Sequence, residues 1–404
     1  MRLRRRPHPG KGGRADARTG RMPDLDRDRV ALSVLALLFA SALGLSSVAL
    51  PLRALEAGHG AGIIGSLVAL SALVQIVTRS RLGALMRRVQ DRVLLGFAPI
   101  ALALTFLVVL LSGSVTALAV GWVLLALARA CFWTAGQTHS VRGRSSSLKG
   151  LATLNFFGSL GALTGPLLAG ILAESGIETA LVTGAALATV AVLPALALER
   201  FAPFAKAQAH GKGAMWRRPG VDAACWSGMT AGAWRGLMDG YVPVVLAAAR
   251  HSSTTIGALV SVANATSVVG TVLLGKMRPG WTAATYVTSM LAASLGLAVL
   301  GFVSGSAPVA AVALGLSGLG AGVLQTLGPN LAATAVGDDE KGDAMSTYGT
   351  VRTSAMFLAP LAVAGFIPIM PMAVALGIVG AGLALPTIAV RSLKRIPAAT
   401  SLPS

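Results

Sequence analysis

Apolar residues run along this chain in stretches of 18 to 25 positions, separated by short turns that are polar and mostly basic. A hydrocarbon layer about 30 Å thick takes about 20 helical residues at 1.5 Å each, so stretches of this length predict membrane-crossing helices. Twelve spans are predicted, at 30–50, 62–78, 93–111, 115–132, 151–173, 177–198, 221–249, 255–275, 283–303, 309–327, 344–366 and 369–390. The fold class is therefore an all-α integral membrane protein with twelve transmembrane helices.

Composition supports the pattern. Only 12% of the 404 residues are charged, against about a quarter in soluble domains, and the mean hydropathy is +0.72. A soluble enzyme, a secreted disulfide scaffold and a disordered tail protein are excluded. The two cysteines, Cys131 and Cys225, both fall in or beside apolar runs and read as free, buried thiols.

A net charge of +19 could point to nucleic acid, but the distribution of the basic residues argues otherwise. Of 34 Lys and Arg, 29 lie on one side of the predicted topology, in the segments 1–29, 79–92, 139–149, 199–219, 276–280, 337–343 and the C-terminal tail. The opposite loops hold only Arg53 and Arg250. Such asymmetry predicts that both termini are cytoplasmic, with the bilayer rather than nucleic acid as partner. Residues 1–29 are too basic and polar to pack a core and read as a disordered cytoplasmic tail; a cleaved signal would need a far shorter polar region.

The chain also repeats itself. An offset of 192 residues aligns 51–83 with 243–275 and gives ten identities, among them Pro51/Pro243, His59/His251, Gly65/Gly257 and Gly83/Gly275. Chance would supply roughly three. The offset maps span 1 onto span 7, so both copies cross in the same direction: two parallel six-helix halves, 30–198 and 221–390, joined by a linker at 199–220 and followed by a C-tail at 391–404. Architectures of this kind hold a solute between the halves near the bilayer midplane.

Two motifs carry a resemblance. Span 5 has Gly161, Gly165, Pro166 and Gly170, with Ala152 and Ala169 at two further small positions. Small residues let helix backbones approach closely and the proline bends the helix, which suits a moving gate; Gly and Pro are also common in membrane helices for packing alone. The turn between spans 2 and 3 holds Gly83, Arg88, Asp91 and Arg92, either a charged gating turn or a solvated loop that only fixes topology.

With these motifs the chain from Val30 to Val390 resembles the major facilitator superfamily. The span 5 pattern resembles that of its exporters, chiefly proton antiporters, so the resemblance implies proton-coupled efflux. In the basic turn Arg87 and Gln90 stand where the family has Asp and Gly, and Asp91 is a carboxylate in a shifted place. Arg129 is the candidate for the family's span 4 arginine and, with Asp239 and Arg235, a candidate for proton coupling or substrate handling; it lies roughly 20 Å deep and is able to snorkel towards the cytoplasm, although the next glycine, Gly136, follows seven residues later rather than four.

Charges inside spans cost about 2.5 to 3.5 kcal/mol each on insertion scales, so they mark candidate function. Arg235 and Asp239 share one helix face four residues apart and can pair; Asp239 is the one carboxylate far from a span end, either a proton-coupling site or half of a permanent ion pair. Arg352, one turn beyond Tyr348, could hold an anionic group or serve structure. Gln75, Gln137, Asn155, Asn264, Gln325, Asn330 and Tyr348 are candidate cavity-lining groups or interhelical hydrogen-bond partners. Trp133 and Trp234 could stack on a ligand, whereas Trp216, Trp226 and Trp281 suit the interfacial belt.

No cofactor or metal site is expected: His59 and His251 read as loop groups, and no nucleotide-binding P-loop pattern occurs. The expectation is a monomeric secondary transporter of a bacterial plasma membrane, with a small-molecule substrate and protons as partners. Uptake is the alternative direction, and a non-transporting membrane sensor or enzyme the alternative class.

Overall fold

The computed structural model describes residues 24–142, 147–203, 215–274, 281–337 and 340–389. The basic tail up to residue 23, the linker centre at 204–214, the end of span 8 at Gly275 and the tail from residue 390 lie outside the described residues.

Thirteen helices appear among the described residues: α1 Asp24–Glu56, α2 Ala61–Leu85, α3 Asp91–Leu111, α4 Val115–Arg142, α5 Ser147–Ala173, α6 Ile177–Val190, α7 Val192–Ala197, α8 Val221–Ala248, α9 Ser253–Leu274, α10 Thr282–Val303, α11 Ala307–Thr334, α12 Lys341–Phe366 and α13 Met372–Gly382. α6 and α7 are one span, broken at Ala191. Pro194 explains the break, because a proline ring collides with the carbonyl four residues earlier, and that residue is Val190, where α6 ends.

Several helices outlast the apolar stretch that predicts them. α2 continues to Leu85 rather than 78, and α4 to Arg142 rather than about 132. Helix hydrogen bonding does not stop where lipid stops, so a polar continuation remains helical in water or against protein. Arg129 consequently sits in the middle of α4.

Among the described residues ten spans are long and apolar enough to cross a membrane by length and composition, and α8 is not among them. The reason is its position. Of its 28 residues 21 are buried, so α8 faces protein instead of lipid and tolerates Thr230, Arg235 and Asp239. Lipid instead meets helix faces such as Phe97, Ile100, Leu104 and Leu111 on α3, or Leu291, Leu295 and Phe302 on α10.

The packing repeats with the sequence. In the first half α1 packs on α5, α2 on α4, α3 on α4 and α3 on α6; in the second the corresponding pairs are α8 with α12, α9 with α11, α10 with α11 and α10 with α13. The interface between halves obeys the same relation, with α2 against α12 matched by α5 against α9, and α1 against α8. Even the loops correspond. His59 Nε2 lies 2.7 Å from the carbonyl oxygen of Gly113, and His251 Nε2 lies 2.5 Å from that of Ser304. Each histidine thus ties two neighbouring loops of its own half.

Helix direction alternates, so loops 57–60, 174–176, 249–252 and 304–306 share one face, termed here the far face, while the residues flanking the linker share the other, the terminal face. The far face is closed. Thr254 N donates to Glu174 Oε1 at 3.0 Å, Ser261 Oγ donates to the Leu163 carbonyl at 2.8 Å, and Gly65 on α2 leaves no room beside the Tyr241 ring of α8.

Candidate functional site

α4 and α8 meet across the interface through charge. Arg129 Nη1 donates to Asp239 Oδ2 at 2.6 Å, and both side chains are almost completely buried. Arg235 Nε reaches the other oxygen, Oδ1, at 3.1 Å, and its Nη1 donates to Asn264 Oδ1 of α9 at 3.3 Å. The i, i+4 pair read from the sequence is present, but Arg129 does not snorkel. It is held midway along α4 by a carboxylate of the opposite half. One carboxylate between two guanidiniums leaves one positive charge unmatched.

A small cavity adjoins the pair, lined by Ser46, Ser47, Ser71, Trp122, Arg129, Asp239 and Met356. Ser71 is followed along α2 by Gln75 and Arg79, each four residues on and therefore stacked on one face. Gln75 Nε2 and Arg79 Nε are both buried without a hydrogen-bond partner. Arg79 feels the charges of Arg352 and Arg129, and Arg235 those of Asp239, Arg129 and Arg352. Arg129 and Arg235 bond Asp239 directly, while Arg79 of α2 and Arg352 of α12 add positive charge beside that pair.

Close backbone packing sets this geometry. Gly228, Gly232, Gly236 and Gly240 recur every fourth residue on α8. A Cβ on Gly232 would lie 1.9 Å from the Arg352 carbonyl oxygen, and one on Gly236 2.5 Å from that of Met356. α12 can lie this close only because these residues lack side chains, and Arg352 is thereby carried to the cluster.

The remaining candidates separate into two groups. Gln75 and Asn264 belong to the cluster, while Gln137 and Asn155 are exposed and Trp133 is half-buried, its ring edge-on to Phe132 at 5.2 Å. Trp234, Gln325 and Tyr348 serve contacts within the second half instead. Trp234 Nε1 donates to Ser317 Oγ at 2.7 Å, Gln325 Nε2 to Ser267 Oγ at 3.4 Å, and the Tyr348 ring fills the space left by Gly228 and Gly328. Trp216, Trp226 and Trp281 are exposed, as an interfacial belt requires.

The glycines of span 5 are contact points. Cβ atoms on Gly161 and Gly165 would lie 2.6 Å from Ser41 N and 2.4 Å from Ser41 O of α1, and one on Gly170 would lie 2.4 Å from Ser253 O of α9. The motif thus spans both an intra-half and an inter-half contact, with Pro166 between them.

The basic turn behaves differently. Gly83 has open space around it and Arg88 is exposed, while Arg92 donates to the Leu196 carbonyl. Asp91 Oδ2 lies 3.3 Å from Arg142 Nη1 and 3.2 Å from His139 Nδ1, and His139 Nε2 lies 3.2 Å from Asp28 Oδ2. Asp28 Oδ1 accepts from Glu199 N at 2.7 Å, and Arg142 donates to the Ala202 carbonyl. Asp91 is therefore the hub of a cluster that fastens residues 199–202 to α1, α3 and α4. His139, Asp28 and Arg79 carry no sequence motif; Arg79 alone could have been found, by following the spacing of Ser71 and Gln75 beyond the apolar run.

Among the described residues no group of three or more His, Cys, Asp or Glu side chains could hold a metal ion.

A family model described as the Major Facilitator Superfamily matches residues 32–360. Among solved structures, the chain is similar to a bacterial homolog of the human lysosomal transporter Spinster in an inward-facing and unoccupied conformation, at 15% identity and a TM-score of 0.67, covering 93% of this chain and 96% of that one. It is also similar to a mutant of the nucleoside transporter NupG, at 13% identity and a TM-score of 0.72, covering 91% of this chain and 98% of that one. No curated protein matches the sequence.

Proposed function

The chain belongs to the major facilitator superfamily, and we propose that it is a secondary transporter exporting a small molecule by alternating access in exchange for protons. The observation that carries this reading is the Arg129–Asp239 pair, 2.6 Å long and formed between the two halves at mid-membrane. A buried pair of this kind resists separation, because parting it strands both charges in a medium that solvates them poorly. The halves can rock only if something else satisfies the charges. A proton on Asp239, or a solute beside the arginines, does so, and this links movement of the halves to occupancy of the site.

Export as the direction is supported by the glycine and proline pattern of α5, whose glycines are the contact points against α1 and α9. The basic loops support cytoplasmic termini, and in this reading the chain acts as a monomer in a bacterial plasma membrane. With that orientation, closure of the far face makes the present conformation one that loads from the cytoplasm.

The test is proton flux in inside-out vesicles acidified by respiration. Addition of a substrate alkalinises the lumen with the wild-type chain and fails to do so with Asp239→Asn. Undiminished substrate-driven proton movement in that variant would overturn proton coupling through Asp239.

A further inference from the structure

The cluster around Asp239 has more positive charge than the described residues neutralise. α2, which carries Arg79, packs against α12, and Arg352 of α12 lies against Gly232 of α8 one turn from Arg235, so four guanidiniums share this region with Asp239, the carboxylate that Arg129 and Arg235 bond, and three charges are left over. Arg129 and Arg235 share Asp239. Arg79 and Arg352 have neither an ion pair nor a side-chain hydrogen bond among the described residues, and Arg79 Nε is buried with no partner. Gln75 Nε2, one turn from Arg79, is a second buried donor without an acceptor. Buried polar groups in folded proteins are normally satisfied, so a converging set of unmet donors marks the place of an absent acceptor.

Resting on the transporter reading above, we propose that the transported solute is an organic anion bearing at least two negative charges, as carboxylates or phosphate, held between Arg79 of α2 and Arg352 of α12 with Gln75 as a further donor. Guanidinium groups bind carboxylate and phosphate oxygens through paired N–H donors, and a cavity walled by low-dielectric protein strengthens the attraction. A cation would meet three excess positive charges and a carboxylate already engaged twice. A neutral polyol would leave the excess positive charge unmatched, and the amide of Gln325 and the indole of Trp234 are committed to contacts inside the second half. Because Arg79 and Arg352 belong to different halves, the bound anion would also draw α2 and α12 together, supplying the counter-charge that movement of the halves requires.

The full-length chain, purified in nanodiscs, is tested by thermal unfolding with succinate, citrate, glycerol 3-phosphate and inorganic phosphate, each against succinamide, glycerol or choline. At least one of the organic anions raises the midpoint saturably, and its neutral analogue does not. Arg79→Gln and Arg352→Gln weaken that binding by about tenfold or more, whereas Arg79→Lys, which keeps the charge, loses less and serves as the control for folding. Stabilisation by inorganic phosphate alone would reduce the site to an adventitious anion site and overturn the proposal. So would equal protection by succinamide or choline, or a panel in which no anion surpasses its neutral analogue. Counterflow in proteoliposomes separates the two readings. Anion binding that depends on Arg79 without counterflow sinks the transporter reading and supports the anion site, while proton-coupled counterflow of a neutral or cationic compound does the reverse.

Discussion

Arg129 and Asp239 are 110 positions apart in the chain and 2.6 Å apart in space, and they belong to opposite halves of the molecule. Asp239 also holds Arg235 at 3.1 Å, so the three residues are not equivalent. Removing Arg129 leaves Asp239 a partner, whereas removing Asp239 strands two guanidiniums. Asp239→Asn is therefore expected to cost about 3–5 kcal/mol of stability and Arg129→Gln clearly less. Urea unfolding of both variants in the same detergent checks the order, and equal costs would mean that Arg235 does not share the carboxylate.

Gly170 has no room for a side chain while the far face is closed, since a Cβ would lie 2.4 Å from the Ser253 carbonyl oxygen. That obstacle is backbone and cannot rotate away. Gly170→Ala is expected to destabilise the closed far face by roughly 1–3 kcal/mol relative to the open one, a shift of about 5- to 150-fold in population. Spin labels at the exposed positions Ala57 and Ala248 should report a longer distance in the variant. Gly60→Ala, with nothing within 4 Å of its Cβ, should leave the distance unchanged.

The architecture was legible in the sequence because lipid imposes a length on apolar runs and because a repeat survives as identities such as His59/His251, which hold matching loop bonds. The Arg235/Asp239 pair was legible because four residues make one helical turn. Arg129 was singled out as well, but its partnership with Asp239 was not legible, since nothing local signals that residues 110 positions apart meet. Arg79 was obscured differently. The apolar run ends at Thr78 and the run of arginines beyond it looks like a loop, yet α2 continues to Leu85 and turns Arg79 onto the face of Ser71 and Gln75. The placement of Trp234 could have been foreseen: adjacent helical residues lie about 100° apart, so it cannot share a face with Arg235.

Arg250 has a left-handed backbone, φ 63°, at the position that repeat symmetry assigns to Gly58, φ 82°. A side chain in that conformation costs about 1–2 kcal/mol, and glycine gives back about 0.5–1 kcal/mol through the entropy of the unfolded chain. Arg250→Gly should therefore stabilise the protein by up to about 1 kcal/mol, and Gly58→Ala should destabilise it by a similar amount although the space around Gly58 is open. A paired measurement of thermal midpoints decides the matter; a fall for Arg250→Gly would show that the arginine side chain itself contributes more than its backbone strain.

Glu174 fastens the far face from the loop after α5, accepting a hydrogen bond from Thr254 N at the start of α9 at 3.0 Å. That backbone donor, together with the Ser252 hydroxyl, holds the exposed carboxyl below its ordinary value. The bond exists only while the far face is closed, so the lowered value belongs to the closed state and a value of about 4.3 to the open one. The ionised form favours closure. Its contribution is complete above about 4.3 and is lost as pH falls through the lowered value, because the open state binds the proton more tightly. Label distances between Ala57 and Ala248 should hence stay constant from pH 8 down to about 5 and lengthen only in stronger acid. Glu174→Gln should show the lengthened population already at neutral pH and lose the acid step. A variant that keeps the acid step would assign it to another carboxylate and leave Glu174 without a role in closure.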